Sequence, residues 1–495
     1  MRLGTLLMLL LMATAPQARA DDPPAPATEG SPKAGEPGKP PPAAPPPPDP
    51  ARATEGNPEG NPEGNPVSGA GAKAAIDAGK KEPEKPTLFS IHGQATTVTQ
   101  GNTPFRSPYA GANSLDPTAN LASTATATLF LAGRLPWQGG EFVFNPEIAG
   151  GSGLSGTTGL AGFPNGEATR AGLPSPTPYV ARALYRQVFG LGGGSEDVPD
   201  GVNQPATTRD KDRLSFQVGK FAAVDLIGDN PYSNDPRTQF LNWGLMFNGA
   251  WDFPANVRGY SYGGTAELVL GDWTFTYGIF GMPSVANGAS IDPRFPRASG
   301  QALEIERGFK LNDRPARIRV VPYVNFANMG NYRLAVATNP TAPDITAVRA
   351  DRVKYGLYVN YEQELSDDVG LFARLGFNDG ATETYAYTEI DRLAALGLNV
   401  KGTAWGRPAD RVGVAGLVNG LSGAHRDYLA AGGVGFIVGD GQLNYAPEVI
   451  GELFYNIQLR PGLFLTFDLQ GAVNPAYNRD RGPLAIGGVR FHLEY

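Results

Sequence analysis

The most constraining feature of this chain is a side-chain period of two that recurs through its C-terminal four-fifths. From Val353 to Leu365, Val353, Tyr355, Leu357, Val359, Tyr361 and Leu365 fall on one face, and Lys354, Gly356, Asn360, Glu362 and Glu364 on the other. That periodicity belongs to a β-strand with two unlike faces. A polar turn, Ser366-Asp367-Asp368, leads into Val369, Leu371, Ala373, Leu375 and Phe377 set against Arg374 and Asn378, which predicts a hairpin. The pattern returns around Pro461-Gly462: Val449, Gly451, Leu453, Tyr455, Ile457 and Leu459 alternate with Glu448, Glu452, Asn456, Gln458 and Arg460. Leu463, Leu465, Phe467 and Leu469 then alternate with Thr466, Asp468 and Gln470. Leu241, Trp243, Leu245 and Phe247 against Asn242 and Asn248 predict another strand, and the segments flanking Gly271-Asp272 predict two more, with Trp273, Phe275, Tyr277 and Ile279 on one face.

Either a sandwich core or lipid can cover such apolar faces. Lipid is favoured because aromatic residues cluster near strand ends and the opposite faces carry full charges. The C-terminus is the sharpest case. Ala485, Val489, Phe491, Leu493 and the terminal Tyr495 share a face opposite Arg490, His492 and Glu494, a final strand like those of outer-membrane barrel precursors. No apolar run reaches the ~20 residues a spanning helix needs. Strands can cross hydrocarbon only when every backbone group is paired, so the chain is expected to close into an antiparallel β-barrel. At about 10 residues per strand and an even strand number, residues 87–495 are read as a transmembrane barrel of sixteen strands, with fourteen or eighteen also compatible.

The N-terminal part has a different composition. Residues 1–20 combine Arg2, an apolar run from Leu6 to Met12 and the exit Ala18-Arg19-Ala20, which reads as a signal peptide. Residues 21–86 hold 18 of the 45 prolines and no Phe, Tyr or Trp. They include three Glu-Gly-Asn-Pro units between Glu55 and Pro66. Such a segment buries too little apolar surface to offset ordering, and is expected to be a disordered Pro/Gly-rich periplasmic arm. The full chain has no cysteine, which removes disulfide scaffolds and thiol chemistry, and a net charge of −7 gives no electrostatic reason to bind nucleic acid.

From residue 88 onward the sequence resembles the carbohydrate-selective outer-membrane porins of the OprB type. The resemblance is carried by Ile91-His92-Gly93-Gln94, Phe105-Arg106-Ser107-Pro108-Tyr109, Phe144-Asn145-Pro146-Glu147, Gly153-Leu154-Ser155-Gly156, Phe163-Pro164-Asn165-Gly166-Glu167, Gly219-Lys220-Phe221, Gln239-Phe240-Leu241-Asn242-Trp243, Asn378-Asp379-Gly380 and Asn474-Pro475-Ala476-Tyr477-Asn478. It implies a monomeric sixteen-stranded porin of the outer membrane that passes glucose and related sugars by facilitated diffusion. Its partners would be carbohydrates, membrane lipid and the barrel-assembly machinery, which would read the strand ending at Tyr495. The long arm departs from shorter family members and suggests a second reading, a structural anchor on peptidoglycan. A non-selective diffusion porin is a third.

A polyol both donates and accepts hydrogen bonds, so a sugar constriction needs carboxylates, guanidinium groups and amides on the lumen face, bound weakly enough for release. On Gly140 to Ile148, Glu141, Asn145 and Glu147 lie opposite Phe142 and Phe144, and Arg182 and Arg186 lie opposite Ala181, Ala183 and Tyr185. These five are the constriction candidates, with Glu147 and Arg182 or Arg186 expected to act together; charge pairing along the wall is the competing reading. Glu304 and Glu306 are predicted to pair with Arg317 and Arg319 across a turn at Asn312-Asp313, Glu306 meeting Arg319 as wall structure.

Enzymatic readings are weak. Gly151 to Gly156 matches a dinucleotide fingerprint as a string but runs on into Thr157-Thr158-Gly159 rather than a helix. No Gly-x-Ser-x-Gly elbow occurs. The three histidines lack metal-ligand spacing; His92 and His492 are instead expected to pair at the seam between the first and last strands. Asp225, Asp229 and Asp235, with Asn230 and Asn234, read as a solvated loop. Neither catalysis nor a cofactor is expected.

Overall fold

A computed structural model describes residues 86–168 and 176–495. The signal peptide and all but the last residue of the arm lie outside the described residues. Those described form sixteen strands: β1 Phe89–Asn102, β2 Asn120–Arg134, β3 Gly140–Gly151, β4 Thr177–Val198, β5 Thr207–Phe221, β6 Ser261–Leu270, β7 Trp273–Gly281, β8 Ser299–Leu311, β9 Arg314–Met329, β10 Ala350–Ser366, β11 Val369–Asn378, β12 Arg392–Gly402, β13 Arg407–Gly420, β14 Glu448–Arg460, β15 Leu463–Val473 and β16 Leu484–Glu494. Each pairs antiparallel with its sequence neighbours, and β1 pairs with β16 from Gln94↔Glu494 to Asn102↔Ile486, closing the barrel. No helix among the described residues is long and apolar enough to span a membrane, and closure leaves no sheet edge unpaired.

The predicted phases hold. Leu357, Leu375, Leu453, Phe467, Leu469, Phe491 and Leu493 lie on the outer surface, while Arg374, Asn378, Glu452, Thr466, Gln470, Arg490 and His492 are buried in the lumen. Trp137, Trp273 and Trp405 mark one end of the apolar band and Tyr355 and Phe377 the other, as interfacial girdles do. The Ser366-Asp367-Asp368 turn is tighter than expected: Ser366 belongs to β10, and a register shift after Glu364 absorbs it.

The two ends differ. At one, two-residue turns dominate; Asn312 and Asp313 have φ of 52° and 62°, the left-handed pair that matches strand twist in a tight hairpin. At the other, long connections turn inward, chiefly residues 154–168 and 222–260. The predicted strand over Leu241 to Phe247 is therefore wrong. Asn242 instead caps a one-turn helix, α1 (Trp243–Met246), by accepting from Gly244 N, and all four helical residues are buried. The alternation there reflects packing within the lumen rather than pairing. Trp243 stacks on Phe163 (5.2 Å) and Tyr387 (4.4 Å), and Phe253 on Tyr387 (5.2 Å), so the barrel interior contains an aromatic core of its own.

Wall residues hold that core by its backbone. Glu452 accepts from Leu241 N (2.6 Å) and Asn242 N (2.9 Å), and Glu448 from Ala161 N (3.0 Å) and Gly162 N (2.8 Å). Arg490 donates to the carbonyls of Pro236 (2.6 Å) and Gln239 (2.8 Å), and Asn360 to those of Gly228 (3.1 Å) and Asp229 (2.9 Å). Inward-folded backbone otherwise lacks partners, and these charged and amide groups supply them.

Candidate pore site

The five candidate residues all face the lumen on adjacent strands. Glu141 sits opposite Arg186 and Asn145 opposite Arg182, after which a bulge at Asn145/Pro146 shifts the register so that Glu147 faces Tyr179. The bulge also turns Ala181 inward, where it is fully buried. Their partners divide them into two sets.

The deeper set is sealed. Arg182 donates through Nε (2.8 Å) and Nη2 (2.7 Å) to both oxygens of Asp225, which comes from the infolded segment. Glu147 accepts from Thr128 and Tyr179 and lies 3.6 Å from Arg237 Nη2. Glu147 on one side and Arg182 and Arg186 on the other, expected to act together, reach different partners. Arg237 also donates to Glu167 (3.0 Å). Burial disfavours its charge, but Glu167 and Glu147 outweigh that, and its guanidinium is held more firmly protonated than usual.

The shallower set is open. Arg186 donates through Nη1 to Glu141 (2.9 Å) and to the carbonyl of Asn203 (3.3 Å), and through Nε to Gln217 (3.3 Å). Glu141 and Arg186 line a cavity of about 350 Å³ together with Asn203, Arg213, Gln217 and Glu267. That volume lies at the lower end of the range that holds small ligands. Its lining alternates donors and acceptors, as a polyol requires.

Asn203, Arg213 and Gln217 were not among the sequence candidates. Asn203 belongs to an extension of β4 and β5 beyond the barrel wall: β3 pairs with β4 only as far as Gln187, and β6 with β5 only from Arg213 onward. The signal for it is the run Gly190-Leu191-Gly192-Gly193-Gly194, where apolar alternation stops and φ turns positive at Gly192, Gly193 and Gly194.

Other expectations need correction. Asp225 is paired with Arg182, Asp229 accepts from Asn234 (3.0 Å) and Asn230 is fully buried, so this loop is packed rather than solvated. His92 and His492 lie in neighbouring strands but do not pair with each other. His92 Nε2 is 3.1 Å from Asp200 Oδ2, whereas His492 Nδ1 is 2.9 Å from Thr96 Oγ1. The Glu306–Arg319 pair forms as expected, at 2.6 Å, and Arg319 also meets Glu362 at 2.8 Å.

At the long-connection end, three segments are fastened at one point. Asp391 accepts from Ser422 N (2.8 Å) and lies 3.1 Å from His425 Nδ1, in α3 (Gly423–Ala430). His425 in turn stacks on Tyr332 of α2 (Tyr332–Thr338) at 4.2 Å. Burial raises the Asp391 carboxyl, but His425, Lys354 and the Ser422 amide outweigh it and bring it down to about 2.

A sixteen-stranded barrel closed within one chain, apolar outside and polar within, defines a porin of the bacterial outer membrane. A profile of the carbohydrate-selective porin, OprB family, matches residues 112–495, and the chain belongs to that family. It is therefore a channel for carbohydrates. No curated protein matches the sequence. Among solved structures, the high-pH form of Pseudomonas putida OprB is similar at 16% identity with a TM-score of 0.63, covering 82% of this chain and 94% of that one. The outer membrane channel DcaP of Acinetobacter baumannii is similar at 11% identity and a TM-score of 0.46, covering 82% and 97%. OmpT of Vibrio cholerae follows at 10% and 0.41, covering 83% and 100%. At these identities the likeness concerns the fold.

Proposed function

We propose that glucose-like sugars cross this barrel by facilitated diffusion through the cavity beside Glu141 and Arg186. The observation that carries this reading is the division of the five candidates: Glu141 and Arg186 border open space, whereas Asn145, Glu147 and Arg182 are buried against other side chains. A carboxylate and a guanidinium side by side can take two neighbouring hydroxyls in turn, and their mutual pairing keeps the sugar's grip weak enough for release. Glu147 and Arg182 set the position of the infolded segment that narrows the lumen, and Asn145 lies between Arg182 and Asn203.

The alternating β16, followed by Tyr495, is the segment offered to the assembly machinery. The described chain begins at the short-turn end, the periplasmic side in barrels of this architecture, and this supports a periplasmic position for residues 21–86 and contact with peptidoglycan as their role.

The test is glucose uptake into liposomes by the full-length protein. Arg186→Ala and Glu141→Gln are expected to change the half-saturation for glucose by about 3- to 10-fold, a difference of about 0.7–1.4 kcal/mol, with the barrel still heat-resistant. Unchanged saturation in both variants removes the site, and linear, non-saturating uptake by the wild type favours a non-selective pore.

A further inference from the structure

The β4–β5 hairpin is most exposed in its middle and most buried at its tip. Residues 189–195 are exposed, whereas Val198, Asn203 and Ala206 are buried. A hairpin projecting freely would show the reverse. Two register shifts, at Gly190/Gly192 and Gly192/Ser195, bend it at the glycine run, and a Cβ at Gly193 would come within 2.7 Å of the Asp212 carboxyl. The φ values there, from 75° to 95°, are ones a glycine adopts at no steric cost.

The bend carries the tip back into the barrel. Gly201 O accepts from Ser90 Oγ (3.1 Å), Asp200 meets His92 (3.1 Å), and Ala206 O accepts from Thr87 N (3.0 Å), so the tip reaches β1 and the segment before it. Asn203 enters deepest, in a left-handed conformation at φ 59°. Its Oδ1 accepts from Asn145 Nδ2 (2.7 Å) and its carbonyl from Arg186 Nη1 (3.3 Å). Two of the five lumen candidates thus donate to one hairpin residue. An amide oxygen and a carbonyl oxygen are the kind of acceptors that sugar hydroxyls present.

We infer that the hairpin tip is a tethered occupant of the sugar site: Asn203 satisfies Arg186 and Asn145 when the pore is empty, and a passing sugar displaces it by swinging the hairpin at Gly190–Gly194. This rests on the sugar site proposed above. The latch consists of a handful of hydrogen bonds and one partly exposed His–Asp pair, contacts weak enough to exchange during transport. A tethered competitor raises the apparent dissociation constant of the ligand by the reciprocal of the site's free fraction.

Two full-length variants test it in planar bilayers and glucose-loaded liposomes. In the first, residues 191–212 are replaced by Asn-Gly, since Gly190 and Arg213 already face each other across the pair. Its potassium chloride conductance is expected to rise, and its glucose half-saturation to fall by up to about 10-fold if the tip fills the site nine-tenths of the time. Conductance and half-saturation both equal to wild type overturn the inference. In the second, Ser90→Cys with Gly201→Cys is bridged by a short bifunctional methanethiosulfonate reagent; the chain has no other cysteine, and a Cβ at Gly201 has open space around it. Once thiol titration confirms the bridge, glucose flux is expected to fall at least about 10-fold and to return on reduction, and undiminished flux in the bridged protein overturns the inference. A wild type without saturable glucose uptake would remove the sugar site itself, while the conductance of the truncated variant would still report whether the hairpin obstructs the lumen.

Discussion

Two segments enter this barrel from opposite ends, and they are held in opposite ways. Residues 222–260 are fixed by stacked, buried aromatic rings and by wall carboxylates, guanidinium groups and amides that take up their backbone. The β4–β5 hairpin enters from the short-turn end on a glycine bend and rests on hydrogen bonds at Ser90, His92 and Thr87, with its charged side chains partly in water. The first is a packed core placed where a pore would otherwise be wide; the second is a polar arm laid against groups that a solute would also use. Narrowing a channel permanently and occupying it reversibly therefore call for different chemistry, and the same lumen contains both.

The sharpest way to break this contrast is Trp243→Ala. Removing a buried aromatic side chain costs about 3–5 kcal/mol, so the infolded segment should loosen. Protease cleavage within residues 222–260 and noisier, larger single-channel currents are the expected signs, and a quiet, wild-type current would mean that the wall clamps suffice alone. A smaller effect is expected at the fastening of the long connections. The Asp391 carboxyl lies below its ordinary value, so its contribution is complete above pH ~4 and is lost as pH falls toward about 2. That difference amounts to about 2 kcal/mol. Amide exchange in residues 379–391 and 421–430 should speed up across that window and not above it, and Asp391→Asn should abolish the dependence. The smallest effect belongs to the hairpin. Asp200→Ala removes a pair whose side chains are 23% and 32% exposed, worth about 0.2–1 kcal/mol. It should leave thermal unfolding unchanged while raising proteolysis at Gly190–Gly194, and a large drop in stability would place the hairpin with the fixed core.

The barrel was legible because lipid imposes its constraint on every spanning strand. One-sided runs such as Val353 to Leu365 and Ala485 to Tyr495 could be read directly, and cross-strand arithmetic placed Glu306 against Arg319. The lumen was less legible. Leu241 to Phe247 alternates as a strand does, yet both its faces are buried, because a segment inside a barrel meets wall on all sides. Glu141, Asn145, Glu147, Arg182 and Arg186 were assigned the correct face from period two alone. The partners of Arg182 and Glu147 include Asp225 and Arg237, brought in by folding over distances that no local pattern records. Asn203 carries no pattern at all; only the glycines before it mark where the hairpin bends.

The wall clamps also bear on assembly. Glu452 holds Leu241 across 211 positions of sequence, Glu448 holds Ala161 across 287, and Arg490 holds Pro236 across 254. All three clamps sit on β14 and β16, among the last strands to be made. Contacts at such separation form late, after most of the loop-closure entropy has been met. A barrel still missing its final strands thus lacks three of the groups that fasten its interior, and sealing the seam also completes the fixing of the bore.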